Sequence, residues 1–262
     1  MDDLLFEVVN RVAYIRLNRP EYKNAFTLEM IDQWAQHLID AANNPDIGVV
    51  VLTGQGDSFC SGVDLSIMKT LQERNSALEW KSVLWDRVHK IAFALQQLDK
   101  PVIAAVNGVA VGAGMDMALM CDMRFMAASA RMSEGYIRVG AVPGDGGCYF
   151  LPRLVGRAKA LELMLSGDFI DAQESLRIGL VNRVYDDAEL QAQTRKFAEE
   201  LVGKSPIALR MIKRAIDQSL TSDLRTSLDL ISSHMGVVLT TEDSAEALAA
   251  FQGRRTPQFT GK

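Results

Sequence analysis

The sequence predicts an α/β protein in which strands and helices alternate up to about residue 200 and helices alone follow. Short apolar runs at 47–52 and 102–106 are bounded by Gly or Pro, which is typical of strands buried on both faces. Between them, apolar residues at three- and four-residue spacing predict one face of a long helix over 78–98. Beyond Gly147 only residues 180–185 favour a strand, so the last part of the chain should be helical.

The individual elements follow from local patterns along the chain. Residues 6–17 predict two short strands joined by a tight Asn10-Arg11 connection. Thr27 can cap a helix that ends near Asn43, and residues 123–127 predict a further strand. These elements give the first part of the chain a strand and helix rhythm.

Two more helix starts are predicted in the C-terminal part. Pro206 suits the first turn of a helix after Ser205, and Thr241 can cap a last helix over 242–252. We therefore divide the chain into an α/β core, residues 1–200, and a helical region, residues 201–262.

The bulk composition excludes several classes of function. The 262 residues are 48% hydrophobic and 23% charged, as in ordinary globular proteins, and the net charge of −5 gives no reason to expect nucleic acid or an anionic membrane as partner. The three cysteines and three histidines are dispersed, so we expect neither disulfides nor a metal site. Without a signal peptide pattern or a membrane-spanning run, a cytoplasmic location is expected.

Three glycine-containing loops follow the predicted strands, where α/β proteins place ligands. None of them matches a dinucleotide-binding loop, a P-loop or a nucleophile elbow, and each glycine on its own could simply serve a tight turn. The loops are residues 59–65 (FCSGVDL), 108–114 (GVAVGAG) and 142–147 (VPGDGG).

The combination of these loops closely resembles the crotonase superfamily of enoyl-CoA hydratases and isomerases. The similarity includes the opening at 17–25 (LNRPEYKNA), the NGxAxGxG pattern at 107–114 and the ALMCD segment at 118–122. The resemblance implies a spiral of ββα units in residues 1–200, a helical trimerisation region in residues 201–262, and a homotrimer or homohexamer. It also implies an acyl-CoA thioester as substrate and no separate cofactor, since coenzyme A is part of that substrate.

In this family two backbone N–H groups hold the thioester carbonyl, and by position these belong to Ser61 and Ala113. Gly62 and Gly112 lie beside them, and small residues let the backbone approach a ligand. Removing a proton next to a thioester places negative charge on that oxygen, and each preorganised donor is worth about 3 kcal/mol. Family members usually carry glycine where Ala113 stands, but a methyl group leaves the N–H in place.

The acid and base residues depart from the family pattern of two glutamates, whose positions carry Asp116 and Tyr136. Asp116 is the leading base, although an aspartate in a first helical turn also has a structural reading. Asp145 lies one residue past a position where some members place a catalytic aspartate, and it also suits a Gly-rich turn. Glu134 is a third candidate, expected to be merely solvated.

Residues matching the family's coenzyme A contacts are spread over both ends of the chain, and each could equally be ordinary core or surface. A cation is needed for the phosphates, and the backbone over 64–67, at the end of the first loop, would face the nucleotide. Two residues near the C-terminus match positions that reach a neighbouring subunit's ligand. The set is Lys23, Ala25, Asp64, Leu65, Ile67, Phe251 and Arg254.

The sequence thus predicts an enoyl-CoA hydratase or double-bond isomerase that works through an enolate. The alternative is a CoA-thioester-binding or scaffold protein of the same fold with little turnover, which the missing second glutamate makes plausible.

Overall fold

The computed structural model describes residues 2–262. Its strands form two sheets, of six and four strands. In chain order the strands are β1 (Leu4–Val9), β2 (Val12–Leu17), β3 (Val49–Gly54), β4 (Ser58–Cys60), β5 (Val102–Val106), β6 (Val109–Val111), β7 (Met123–Ala127), β8 (Arg131–Ser133), β9 (Ile170–Asp171) and β10 (Arg183–Tyr185).

From β3 to β8, successive strands along the chain are added alternately to the two sheets. The larger has the order β1-β2-β3-β5-β7-β10 and the smaller β4-β6-β8-β9. Each successive pair, β3 and β4, β5 and β6, β7 and β8, places one strand in each sheet and is followed by helical structure. Pairing is parallel from β2 through to β10 and antiparallel only between β1 and β2 in the larger sheet. The predicted spiral of ββα units is therefore confirmed.

The predicted hairpin forms as expected. Asn10 and Arg11 both adopt positive φ, 51° and 65°, as the two central residues of a type I′ turn do. Every residue of β3 and β5 is buried, which explains why both segments are continuously apolar. These strands form the centre of the core.

Within residues 2–262, twelve α-helices surround and extend the sheets. They are α1 (Leu28–Asn43), α2 (Leu65–Arg74), α3 (Ala77–Ser82), α4 (His89–Gln97), α5 (Ala113–Leu119), α6 (Gly147–Val155), α7 (Arg157–Ser166), α8 (Ala172–Arg177), α9 (Leu190–Val202), α10 (Pro206–Ser219), α11 (Leu224–Leu239) and α12 (Glu242–Gln252). The caps predicted at Thr27 and Thr241 are present, because both side chains accept from backbone N–H groups of the helices they begin. Pro206 lies in the first turn of α10 as predicted, and the Ser205 side chain caps that helix.

The long helix predicted over 78–98 is not uniform. It consists of α3, a π-helical segment at Val83–Val88, and α4. Its apolar face is buried only from Val88 onward, whereas Leu78 is 77% exposed. The three- and four-residue spacing correctly predicted helical structure here, but it could not show which part of the stretch packs against the core.

The structure also corrects the strand count beyond Gly147. Two strands lie there instead of one, because Ile170–Asp171 pairs antiparallel with β8. The predicted strand at 180–185 shortens to Arg183–Tyr185. Strands of two or three residues are too short to give a periodic pattern.

Helices α10 and α11 leave an apolar face uncovered in the single chain. Helices α10 and α11 pack on each other, yet α10 has no buried residue. The exposed apolar side chains of this face are Ile212, Ile216, Leu220, Leu224 and Leu228. Within residues 2–262 we find no helix with the length and apolar character needed to cross a membrane.

Candidate active site

Two strand ends of the smaller sheet bring the predicted oxyanion residues together. Strands β4 and β6 are parallel neighbours, so Ser61 and Gly112, which follow them, lie at the same edge. A side chain on Gly114 would collide with the Cys60 carbonyl oxygen, so glycine is required for α5 to approach β4 this closely. A Cβ on Gly62, whose φ is 100°, would lie 3.6 Å from the Ala113 nitrogen. The two loops are therefore in direct contact.

The two predicted N–H donors differ in their present hydrogen bonding. Ala113 is the first residue of α5, and the first N–H groups of a helix have no acceptor within it. The Ser61 N–H, in contrast, donates to the Lys23 carbonyl oxygen at 3.0 Å. A ligand oxygen could thus meet the Ala113 N–H directly, whereas it would have to share or displace the bond made by Ser61.

Three predicted acid and base residues converge from separate segments. Asp116 lies on α5, Tyr136 on the 3-10 turn Gly135–Val139, and Asp145 in the loop before α6. The Tyr136 hydroxyl is 2.7 Å from Asp116 Oδ2 and 2.7 Å from Asp145 Oδ2. Both aspartates are buried, with exposures of 0% and 5%. The structure therefore forms one buried cluster, although the role of each residue stays a prediction.

The cluster must hold a proton beyond the one on the tyrosine. A phenol has a single hydrogen, so Tyr136 can donate to only one of the two carboxyl oxygens beside it. The other short contact is a hydrogen bond only when that aspartate is protonated and donates to the phenol oxygen. At least one of Asp116 and Asp145 is accordingly neutral.

Burial dominates the acidity of these groups. It raises the pKa of Asp116 to about 6, with a further rise from the charge of Asp145, while the hydrogen bond from Tyr136 opposes both. Burial also raises the pKa of Asp145, and that of Tyr136 lies well above its ordinary value. Asp116 thus titrates near the pH range in which a general base is most effective.

Glu134 is a correction to the sequence prediction, because it is not solvated. Its side chain is 1% exposed and neither carboxyl oxygen has a hydrogen-bond donor among the described residues. Burial, followed by the charge of Asp116, raises its pKa to about 10. Sequence alone gave no sign of this burial, since Glu134 follows a three-residue strand with no periodic pattern.

A second connection that the sequence did not reveal holds the Asp145 loop in place. His89, on α4, makes a hydrogen bond of 2.8 Å between its Nε2 and the Gly144 carbonyl oxygen. Leu84 packs against the same glycine, since a Cβ there would lie 3.4 Å from its side chain. The helical stretch 83–97 therefore supports the loop that carries Asp145.

The residues predicted to face coenzyme A form a charged surface beside the Ser61 loop. Lys23 pairs with Asp57 at 2.8 Å, and both side chains are largely exposed. Asp64 caps α2 and binds Arg19 at 2.8 Å, so its carboxylate already has partners. Leu65 and Ile67 begin α2, and the Ala25 carbonyl accepts from Arg19. Sequence analysis missed this bridging arginine, although it stands within the 17–25 segment.

Phe251 and Arg254 lie at the far end of the chain, where α12 finishes. Phe251 is 83% exposed and Arg254 adopts a positive φ of 50° just after the helix. In the single chain neither side chain has a place in the carboxyl cluster.

The two loops and the buried acid cluster are thus carried by an α/β fold of ββα units. The family model for enoyl-CoA hydratase/isomerase matches residues 7–262, and the chain belongs to that family.

Relatives and solved structures agree with this membership. The chain is 34% identical to the short-chain-enoyl-CoA hydratase of Clostridium acetobutylicum, covering 97% of this chain and 96% of the relative. It is 35% identical to the 1,2-epoxyphenylacetyl-CoA isomerase of Escherichia coli over the whole of both chains. The crystal structure of an enoyl-CoA hydratase from Bacillus anthracis superimposes with a TM-score of 0.94, at 32% identity and complete coverage of both chains. The chain is thus an enzyme of the hydratase/isomerase type.

Proposed function

We propose that the chain moves a proton on an enoyl-CoA thioester, shifting its double bond, faster than it adds water across that bond. The observation that carries the proposal is the position of the Tyr136 hydroxyl, 2.7 Å from both Asp116 and Asp145. The hydroxyl occupies the space between these two carboxyl groups, so they cannot hold a water between them, and position 136 lacks the second carboxylate of the family's pair.

The chemistry of the two reactions makes this difference important. Hydration needs one group that takes a proton from water and a second that gives one to carbon, whereas a double-bond shift can use one base that receives and returns a proton. Asp116, with its pKa raised to about 6, suits the single-base role, and its Oδ2 accepts from Tyr136. Tyr136, whose pKa is raised well above its usual value, serves as donor and not as base.

The enolate oxygen would be held by the Ala113 and Ser61 N–H groups. Ala113 supports this role because its N–H begins α5 and has no acceptor within the helix. Ser61 takes part if its N–H is shared between the Lys23 carbonyl and the thioester oxygen. Both donors belong to the backbone, so they are fixed by the fold and need little reorganisation.

Coenzyme A would lie along the charged surface near Lys23. The ion pair between Lys23 and Asp57 is exposed, so it is weak and a phosphate can replace the carboxylate. The start of α2, residues 64–67, offers backbone groups next to it. No separate cofactor enters this reaction, since the thioester itself is the activating group.

A homotrimer or homohexamer is the assembly that fits the C-terminal helices. The apolar face of α10 and α11 is too exposed for a chain that stays alone, with Leu220 and Leu224 71% and 75% exposed. Residues 201–262 would then form the trimerisation region and bring Phe251 and Arg254 to a neighbour's ligand. The three cysteines are unpaired, which supports a cytoplasmic location.

Absorbance of the conjugated thioester tests the proposed reaction. With a 3-enoyl-CoA the absorbance should rise as the double bond moves into conjugation, and with crotonyl-CoA it should fall more slowly as water adds. Asp116→Asn is the matched control, because it keeps the size of the side chain and removes the base. Loss of crotonyl-CoA absorbance that is faster than gain from the 3-enoyl-CoA would reject the isomerase proposal.

A further inference from the structure

A third buried carboxyl group stands beside the proposed base, on the side opposite Tyr136. Glu134 is 1% exposed, and both of its carboxyl oxygens lack a donor among residues 2–262. The Oδ1 atom of Asp116 makes no hydrogen bond of normal geometry among the described residues, although the Gly147 N–H is close enough to lower the pKa of this carboxyl group, and Oδ2 accepts from Tyr136. A buried polar atom without a partner is costly, so this pair of groups needs an explanation.

Glu134 and Asp116 approach each other around Gly147. A Cβ built on that glycine would lie 2.5 Å from Asp116 Oδ1, and 2.8 and 3.0 Å from the two oxygens of Glu134. Only a residue without a side chain leaves room for both carboxyl groups here. Two ionised carboxylates have no hydrogen to share and repel each other, whereas one proton between them makes a hydrogen bond.

The proton belongs on Glu134 and not on Asp116. Asp116 already accepts the Tyr136 O–H at 2.7 Å, and a donated hydrogen bond stabilises the ionised form. Glu134 has no donor of its own, so its ionised form would be buried without compensation. The order of their pKa values, about 6 for Asp116 and about 10 for Glu134, agrees with this.

We propose that Glu134 stays protonated and donates a hydrogen bond to Asp116 Oδ1, an inference that rests on the proposed function of Asp116 as the base. Glu134 is then a positioning residue that orients the base and keeps it ionised, without touching the substrate. Asp116 receives one donor on each oxygen, from Tyr136 and from Glu134, and all of its polar atoms are satisfied.

The other titratable groups around Glu134 favour the same assignment. The charge of Asp116 disfavours the ionised form of Glu134, and Asp145 adds to this effect only while it is ionised. Burial, followed by the charge of Asp116, raises the pKa of Cys148 at the start of α6, so this thiol stays neutral and brings no charge to Glu134. His89 acts on Asp145, whose pKa it lowers against the effect of burial.

Two substitutions separate a donor from a mere space filler. Glu134→Gln keeps the shape and has an amide that still donates to Asp116, whereas Glu134→Leu keeps most of the volume and cannot donate. The pH dependence of kcat/KM with a 3-enoyl-CoA is the readout. Glu134→Gln should keep kcat/KM within about threefold of the natural protein, with the acid limb of the pH profile unmoved. Glu134→Leu should move that acid limb about one pH unit higher and lower kcat at neutral pH.

Two results in this assay would overturn the proposal. If Glu134→Gln moves the acid limb to lower pH, Glu134 is ionised in the natural protein and repels Asp116. If Gln and Leu give the same profile, donation is not what matters.

An infrared difference spectrum keeps this test independent of turnover. At neutral pH the natural chain should show a protonated-carboxyl stretch that disappears in folded Glu134→Gln. Absence of that difference would overturn the proposal about Glu134. If the stretch disappears in Glu134→Gln but the natural chain acts on no enoyl-CoA, the proposal about Glu134 stands and the proposed function is rejected.

Discussion

Replacing Asp116 by Asn should make the protein more stable and far less active. Asn has the same shape, so its carbonyl can still accept from Tyr136 while its amide donates to the Glu134 carboxyl group. It cannot ionise, so it removes both the base and a buried charge. Activity should fall by about 10²- to 10⁴-fold, the usual worth of a general base.

The gain in stability can be worked from the acidity of the buried carboxyl. Folding raises the pKa of Asp116 from 3.8 to about 6. A shift of about two units, at about 1.36 kcal/mol each, makes the ionised form cost about 3 kcal/mol in the folded state. A carboxyl group whose pKa is raised by folding contributes its full stability at pH values below its unfolded-state pKa. That contribution is lost as the pH rises through its folded-state pKa.

Chemical unfolding of both proteins at a series of pH values and one protein concentration measures this directly. The difference between the free energies of unfolding should grow in favour of Asp116→Asn by about 3 kcal/mol between about pH 4 and about pH 8. Asp187→Asn is the control, because that carboxylate is exposed and hydrogen bonds from Ser129 lower its pKa. If the difference between the free energies of unfolding of Asp116→Asn and the natural protein does not change with pH, Asp116 does not have the raised pKa assigned to it.

Three further outcomes are expected. Ala113→Pro removes the N–H at a helix position that tolerates proline, so it should abolish turnover while the circular dichroism spectrum stays unchanged. Ala113→Gly keeps the N–H and should stay active. A folded, fully active Ala113→Pro variant would contradict the oxyanion role. Tyr136→Phe removes a donor to Asp116, so the acid limb of kcat/KM should move to higher pH, and an unmoved limb would show that this hydrogen bond does not tune the base. The mass in solution should be that of a trimer or hexamer, and a stable monomer at micromolar concentration with full affinity for coenzyme A would reject the assembly.

Much of the fold could be predicted because its signals are local. The positive φ values at Asn10 and Arg11 and the cap at Thr27 each depend on a few neighbouring residues. The buried strands β3 and β5 were evident from continuous apolar runs. The smaller sheet was not, since its strands have two or three residues and lie inside segments that resemble Gly-rich loops.

The candidate site was predictable only where a family position could be counted. That count led to Asp116 and Tyr136, and it also suggested Asp145, whose one-residue offset does not prevent it from reaching the Tyr136 hydroxyl. Glu134 was a third candidate, but its burial escaped prediction because the space for its carboxyl group beside Asp116 is left by Gly147, thirteen residues along the chain. Such convergence of distant segments has no signature in the order of residues.

Deuterium incorporation followed by mass spectrometry tests the central claim most directly. In deuterated water, one incubation with an enoyl-CoA reports both exchange of its α- or γ-protons and addition of water. We predict exchange that is faster than hydration and that falls by about 10²- to 10⁴-fold in Asp116→Asn. Rapid hydration of crotonyl-CoA that Asp116→Asn leaves unchanged would contradict the account and move the base to Asp145 or Glu134.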